Sequence, residues 1–416
     1  MSDAQENGMM ASESGVPATG PGAKHAAAAP GGGLVIEGLS FANLVRLDDG
    51  SLITEAGWQS HDNGRSWQQG AVDIPEGSYG LIRLPNGDLG SCHYDRWDME
   101  SALGNATNNW FFRCSADDGA TWSEPVKITL DGLTQALRGA LFNLRDGKRT
   151  VWVCYSQFLG SRFDRRGGSW GTFGGVRFQT ETEGHFPLAE VGRAYYSDDS
   201  GRSWQACDGW IMGWREAGAW TDAFTEPDAV ELNDGRLLCV GRTLTGRLYQ
   251  ASSPDRGHSW WPGAQPMELM SSYSPARICR LPETGDLMIL WNQQSRAEIR
   301  RGFRRSRLST AISRDDGATW ECFRNLEAID SMADVTRVPV DPDLTPVVGD
   351  DDVGEMPADL ANFHYPTIAV VGSEVFINYP YNGFRVATGA DGTPTVEAAG
   401  GARTRILPVS WFYEVP

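Results

Sequence analysis

The chain has 416 residues, 40% of them hydrophobic, and carries 36 Lys and Arg against 54 Asp and Glu, a net charge of −18. That acidity argues against nucleic acid and against an anionic membrane surface as partners. No uninterrupted apolar run reaches the ~18 residues that a bilayer-spanning helix needs. Length alone admits two or three domains of average size or one large one.

Residues Met1 to Gly33 are rich in Ala, Gly, Pro and Ser and lack a basic region followed by an apolar core. They predict a disordered tail rather than a signal peptide, leaving 34–416 as the folded part. The seven cysteines are odd in number and lack metal-ligand spacing. Cys154 and Cys239 stand in strand-like apolar runs, as small buried hydrophobes of a reducing compartment do. A cytoplasmic protein is expected.

An eight-residue box then recurs five times, at Ser60–Trp67, Ser115–Trp122, Ser197–Trp204, Ser253–Trp260 and Ser313–Trp320. Its rule is Ser-x-Asp-x-Gly-x-Ser/Thr-Trp. The Asp can accept backbone N–H groups inside a tight turn, and the Gly supplies the positive φ such a turn requires. The Trp can close over the hairpin. Five copies define a repeat protein. The box resembles the Asp-box (BNR) repeat of the sialidase superfamily, and the resemblance covers nearly the whole chain after residue 33. It implies an all-β fold, a six-bladed β-propeller, with the boxes on the face away from the active site.

A second repeat is phased with the first. Apolar runs turn at Gly50, Gly87, Gly147, Gly235, Gly285 and Ser373, most through Asp-Gly or Asn-Gly pairs that mark β-hairpins. Six such turns with five Asp boxes make six blades, the last without a box. If strand 1 of each blade descends to its turn and strand 3 to its box, turns and boxes share the bottom face. The top face then collects the long connections 93–109, 157–190, 208–222 and 293–304, the usual setting of a binding site. Blade 1 is irregular: ten positions from Gly50 to Ser60 look too few for two strands. Either Leu34 to Glu37 serves as an extra strand or the blade is abbreviated. The run Arg405 to Tyr413 is expected to complete blade 6 with help from the N-terminal segment, closing the ring.

The resemblance assigns roles at the top. Thr225-Glu226-Pro227 through Val240-Gly241-Arg242 is similar to the family pattern of Glu, apolar strand, turn, apolar strand and Arg. It implies that Glu226 polarises a nucleophilic tyrosine and that Arg242 grips the sugar carboxylate. Blade order agrees, placing Glu226 at the start of strand 1 and Arg242 at the end of strand 2. Tyr365, leading the inner strand of blade 6, matches the tyrosine; a neutral nucleophile avoids the repulsion that an Asp would meet at an anomeric carbon bearing a carboxylate. Arg305, three residues before Leu308, matches the third carboxylate-binding Arg, amid Arg300, Arg301, Arg304 and Arg307.

Two hallmarks are missing. The family's first Arg is replaced by Ser40-Phe41-Ala42-Asn43, and the short blade 1 removes the loop carrying the acid/base Asp. Asp95, ending strand 2 of blade 2, and Arg138, beginning strand 1 of blade 3, are the candidates to take their places. His93 and His364 lack a carboxylate pattern for a metal, and no cofactor is expected. Trp97, Trp110 and Trp170 in the long loops, with Trp210, Trp214 and Trp220 entering blade 4, suit either sugar stacking or loop packing. The reading is an exo-acting, sialidase-like glycoside hydrolase with a carbohydrate substrate. A uronate polysaccharide lyase on the same scaffold and a non-catalytic carbohydrate-binding propeller are the alternatives. Oligomeric state is left open.

Overall fold

The apolar runs and their Gly turns fold as expected into antiparallel hairpins, which are arranged in a ring. The computed structural model describes residues 22–29, 31–70, 72–94, 109–130, 134–135, 140–159, 169–180, 189–214, 221–222, 224–260 and 263–414. Among them, six antiparallel sheets have at least four strands each and form the blades. Blade 4 shows the plan, with Thr225–Glu231, Leu237–Arg242, Arg247–Ser253 and Gln265–Met270 paired in sequence order. Blade 5 repeats it with Arg277–Arg280, Leu287–Trp291, Arg307–Ser313 and Glu321–Ala328. The second strands of both are buried along their entire length. That is why they read as unbroken apolar runs rather than as alternating ones, since each blade is covered on both faces.

Blade 1 corrects the expectation that ten positions cannot hold two strands. Leu52–Thr54 and Trp58–Ser60 both fit, because each is three residues long and Gly57, at φ 78°, closes a tight turn between them. Leu34–Glu37 is not the extra strand of blade 1. It pairs with Arg403–Ile406 as the fourth strand of blade 6, beside Thr367–Val371, Glu374–Thr388 and Pro394–Pro408. The N-terminal end of the ring is thereby sealed into its C-terminal blade, which removes a free edge. The described part of the expected tail is also paired. Lys24–His25 adds to blade 1 at Ser66–Trp67, and Ala27–Ala28 lies against Leu34–Val35, because both blades leave edge N–H and C=O groups to satisfy. No helix among the described residues is long and apolar enough to cross a membrane.

All five boxes share one geometry. The Ser hydroxyl donates to the Asp and accepts the Gly N–H, while the Asp accepts both the N–H and the hydroxyl of the second Ser/Thr. In the first box these are Ser60 Oγ to Asp62 Oδ1 at 2.8 Å, Gly64 N to Ser60 Oγ at 2.8 Å and Ser66 Oγ to Asp62 Oδ2 at 2.6 Å. The residue before each box Gly is also left-handed, from Asn63 at φ 55° to Arg256 at φ 64°.

The boxes do more than close their own hairpins. Each meets the strand 1–2 turn of the preceding blade: Arg65 to Glu374 at 2.7 Å, the Asp48 N–H to Asp118 at 2.7 Å, Arg202 to Asp88 at 3.4 Å, Arg256 to Asp146 at 2.5 Å and the Asn233 N–H to Asp316 at 2.9 Å. Boxes and turns therefore share one face, as the strand order implied. A side chain at box Gly64 or Gly201 would overlap Phe376 or Phe112 of the blade before it.

These bonds predict acid sensitivity. At Asp117 the Thr121 hydroxyl, the Thr121 N–H and the Ser115 hydroxyl hold the carboxyl down to about 2. At Asp62 partial burial opposes ionisation, but bonds from Ser66, Ser60 and Arg65 prevail and bring it to about 2. A depressed folded pKa stabilises above the ordinary value of 3.8 and loses that contribution as pH falls toward 2. Tryptophan fluorescence during unfolding between pH 5 and 2 should show stability declining below about 4. Asp117→Asn should flatten the decline, and a decline of unchanged slope in that variant would remove the boxes as its cause.

Candidate active site

Glu226 is set by a β-bulge. Thr225 pairs with Arg242 and Asp228 with Val240, so Glu226 and Pro227 together oppose Gly241. Pro227 has no N–H to give the ladder, which favours a bulge here. The bulge puts Glu226 at φ 46° and fully buries its side chain, where its Oε2 lies 2.8 Å from Arg242 Nη1. Arg242 also stacks its guanidinium 4.1 Å from the Tyr273 ring centre and donates to the Tyr273 carbonyl at 3.4 Å. Burial opposes the Arg242 charge, but Glu226, Tyr273, Tyr365 and Glu190 outweigh it and hold the guanidinium firmly charged.

Tyr365, at φ 40°, is the second non-glycine residue at the top held in the left-handed region. Contacts on both sides set it in place. The N–H of its neighbour Phe363 donates to the Arg305 carbonyl at 2.8 Å, and the Arg305 guanidinium covers the Tyr365 ring at 4.7 Å. Arg305 Nη1 lies 3.0 Å from His364 Nδ1, and Asn382 Nδ2 lies 3.2 Å from His364 Nε2. A guanidinium can only donate, so His364 Nδ1 is the acceptor in its contact with Arg305. On the other side, Arg277 Nε donates to the carbonyl of Pro366 at 3.1 Å. Arg277 also lies 3.7 Å from Asp228, which accepts the N–H groups of Ala229 and Ile278. Asp228 and Arg277 thus tie the inner strands of blades 4, 5 and 6 together immediately beside Glu226 and Tyr365. A cavity of about 250 Å³ opens among the inner strands, lined by Asn43, Asp228, Arg277 and Thr367.

The strand order thus brings Glu226, Arg242, Tyr365 and Arg305 into one cluster, with Arg242 facing both Glu226 and Tyr365. Arg307, from the same Arg-rich stretch, goes elsewhere. It is fully buried against Glu298 at 2.8 Å and supports the short helix Arg296–Arg300. Asp95 and Arg138 lie outside the described residues.

Several members of the cluster escaped sequence reasoning. Glu190 and Tyr155 come from blade 3 and Tyr273 from the connection between blades 4 and 5. The Tyr273 hydroxyl donates to Glu190 Oε2 at 2.9 Å. Burial, then the nearby carboxylates, push the phenols of Tyr155 and Tyr273 up. Their signal in the sequence was weak, since a lone Tyr or Glu beside a long loop has no spacing to single it out.

Blade 1 carries Ser40 and Phe41, both buried, where the first Arg was expected. The nearby turn holds Glu55, whose carboxylate accepts the N–H groups of Ala42 at 2.6 Å and Asn43 at 2.9 Å. Of the tryptophans, Trp110 is no sugar platform: it is buried, with Trp152 at 5.2 Å and Tyr94 at 5.1 Å. It heads strand 3 of blade 2, so its ring falls between blades. Trp170 and Trp210 are exposed, Trp97 and Trp220 lie outside the described residues, and the Trp214 side chain does as well. Among the described residues, no three His, Cys, Asp or Glu side chains gather to hold a metal ion.

Residues 99–377 match the family described as a BNR repeat-like domain. No curated protein matches the chain. Among solved structures, a protein of unknown function from Dyadobacter fermentans is similar at 16% identity, covering 92% of this chain and 95% of that one, with a TM-score of 0.47. A Hadza microbial sialidase is similar at 15% identity over 93% of this chain and 65% of its own, with a TM-score of 0.48. A Penicillium chrysogenum α-L-arabinanase complexed with arabinobiose is similar at 15% identity over 94% of both chains, with a TM-score of 0.45.

The buried Glu226–Arg242 pair predicts a large stability effect. Arg242→Ala strands a carboxylate without its cation and should cost about 3–5 kcal/mol in denaturant unfolding at neutral pH. A loss under about 1 kcal/mol would mean that the pair is solvated.

Proposed function

The chain belongs to the BNR repeat-like domain family, and on that premise we propose that it is a sialidase-like, exo-acting glycoside hydrolase whose sugar carries an anionic group. The observation that carries this reading is backbone strain. Among the described residues, eight non-glycine positions have positive φ, and five of them are the fourth residues of the Asp boxes. Two of the remaining three are Glu226 and Tyr365, the residues to which the resemblance assigns the nucleophilic pair. A left-handed Glu or Tyr costs on the order of 1–3 kcal/mol, which such a scaffold tolerates where placement of the side chain matters.

In this mechanism the Tyr365 hydroxyl attacks the anomeric carbon while Glu226 takes the phenol proton. The bond from that carbon to the leaving oxygen breaks, and water later releases the sugar from Tyr365. Arg305, with the remaining edge of Arg242, grips the anionic group. These local cations work against the chain's overall negative charge, which otherwise disfavours an acidic sugar.

A panel of fluorogenic glycosides, anionic sugars included, tests the reading. Wild type should release the fluorophore, and Tyr365→Phe should lose on the order of 10⁴-fold in turnover. Unsaturated, ultraviolet-absorbing products from a uronate polysaccharide would instead identify a lyase. Glycan binding without turnover, unaffected by Tyr365→Phe, would identify a binding propeller.

A further inference from the structure

Glycoside cleavage needs an acid to protonate the departing oxygen, and the mechanism above leaves that role empty. In blade 1 the turn at Glu55 offers a carboxylate. Both of its oxygens already accept backbone N–H groups, from Ala42 and Asn43.

Glu190 is different. It lies near the start of the third strand of blade 3, Ala189–Ser197, and is buried. The Tyr273 hydroxyl donates to it from the blade 4–5 connection, and Thr225, Glu226 and Arg242 face it from blade 4. Tyr155, from the second strand of its own blade, faces Glu190, Glu226 and Tyr365 together. Blades 3 and 6 stand opposite each other in a six-membered ring. Glu190 and Tyr365, on these two blades, are both faced by Tyr155 and by Arg242.

The two glutamates stand differently toward Arg242: Glu226 makes the 2.8 Å contact, and for Glu190 the guanidinium only partly offsets burial. Burial raises Glu190, Glu226 adds to that, and Arg242, Tyr273 and Thr225 only partly oppose it. A buried carboxyl raised in this way is suited to hold a proton and deliver it as an acid.

We propose that Glu190 is the general acid of this site, with Tyr273 as the residue that positions it. The proposal rests on the glycosidase reading. As Tyr365 bonds to the anomeric carbon, the bond to the leaving oxygen breaks and its electron pair takes the Glu190 proton. In the second step Glu190, now a carboxylate, removes a proton from water, whose oxygen attacks the same carbon. The bond to Tyr365 breaks, and its phenolate recovers a proton from Glu226. Neither step needs a metal or a redox partner.

The test compares glycosides of one sugar carrying either an activated aryl or an unactivated alkyl leaving group. Glu190→Gln should lower kcat/KM for the alkyl glycoside about 10²–10⁴-fold while changing the aryl glycoside less than about tenfold. The retained aryl activity shows that the variant is folded. In wild type, alkyl-glycoside cleavage should fall as pH rises through the raised Glu190 pKa, and this limb should vanish in Glu190→Gln. Tyr273→Phe should shift the limb without removing it. Equal losses on both substrates, or none, overturn the acid assignment while Tyr365→Phe still silences both. A selective Glu190→Gln loss with Tyr365→Phe fully active overturns the nucleophile and upholds the acid. If wild type cleaves neither substrate, both assignments fall.

Discussion

Everything in this molecule depends on blades packing face to face. The apolar interior is not one core but a series of wedges, each built from the facing sheets of two neighbours. Leu237 and Cys239 of blade 4 meet Val151 and Val153 of blade 3, while Leu238 and Val240 of the same strand meet Ile278 and Ile289 of blade 5. Alternate residues of one strand thus serve two interfaces, a direct consequence of the strand's period of two. The wedge between blades 6 and 1 contains Ile36, Trp58, Trp67, Phe376 and Ile406. Leu34–Glu37 brings Ile36 into it by crossing to blade 6. The pairing of the chain's two ends closes the ring at that seam and removes a free sheet edge.

Closure is also what makes the top face a site. The inner strands converge on the axis, so side chains from blades 3, 4, 5 and 6 meet there although they are up to about 200 residues apart in sequence, as Tyr155 and Tyr365 are. The strained backbones of Glu226 and Tyr365 are held by groups the propeller itself supplies. A bulge at Pro227 fixes the first. Arg277 on the Pro366 carbonyl and Arg305 over the ring fix the second. The second and third strands of blade 6 run on past the ring as a long hairpin, whose Phe384 packs on Phe173 and Phe178 of the loop from blade 3. The same hairpin contributes Asn382 beside His364, so the extra structure above the ring is joined to the residues around Tyr365.

Much of this was legible because the relevant physics is local. A tight turn that needs a carboxylate and a positive φ leaves its mark as Asp and Gly at fixed spacing, and five copies of that mark identify a repeat. Buried strands likewise show as apolar runs. The number of strands in blade 1 was misjudged because three-residue strands are shorter than sequence patterns suggest, and only the pairing of Leu52–Thr54 with Trp58–Ser60 reveals them. Trp110 was ambiguous for a similar reason, since an aromatic beside a loop reads the same whether it faces solvent or a neighbouring blade.

The sequence by itself determined the repeat, the plan of hairpin turns and Asp boxes, and the two strand ends that set Glu226 and Arg242 on one face. Each of these follows from turn chemistry and a period of two acting within a few tens of residues. Only the tertiary structure decided that Arg242 pairs with Glu226 rather than Glu190, and that Glu55 is committed to backbone N–H groups. It also decided that each Asp box is tied to the blade before it. Those outcomes depend on which buried charges lie within a few ångströms of each other after the ring closes, and distance along the chain carries no record of that.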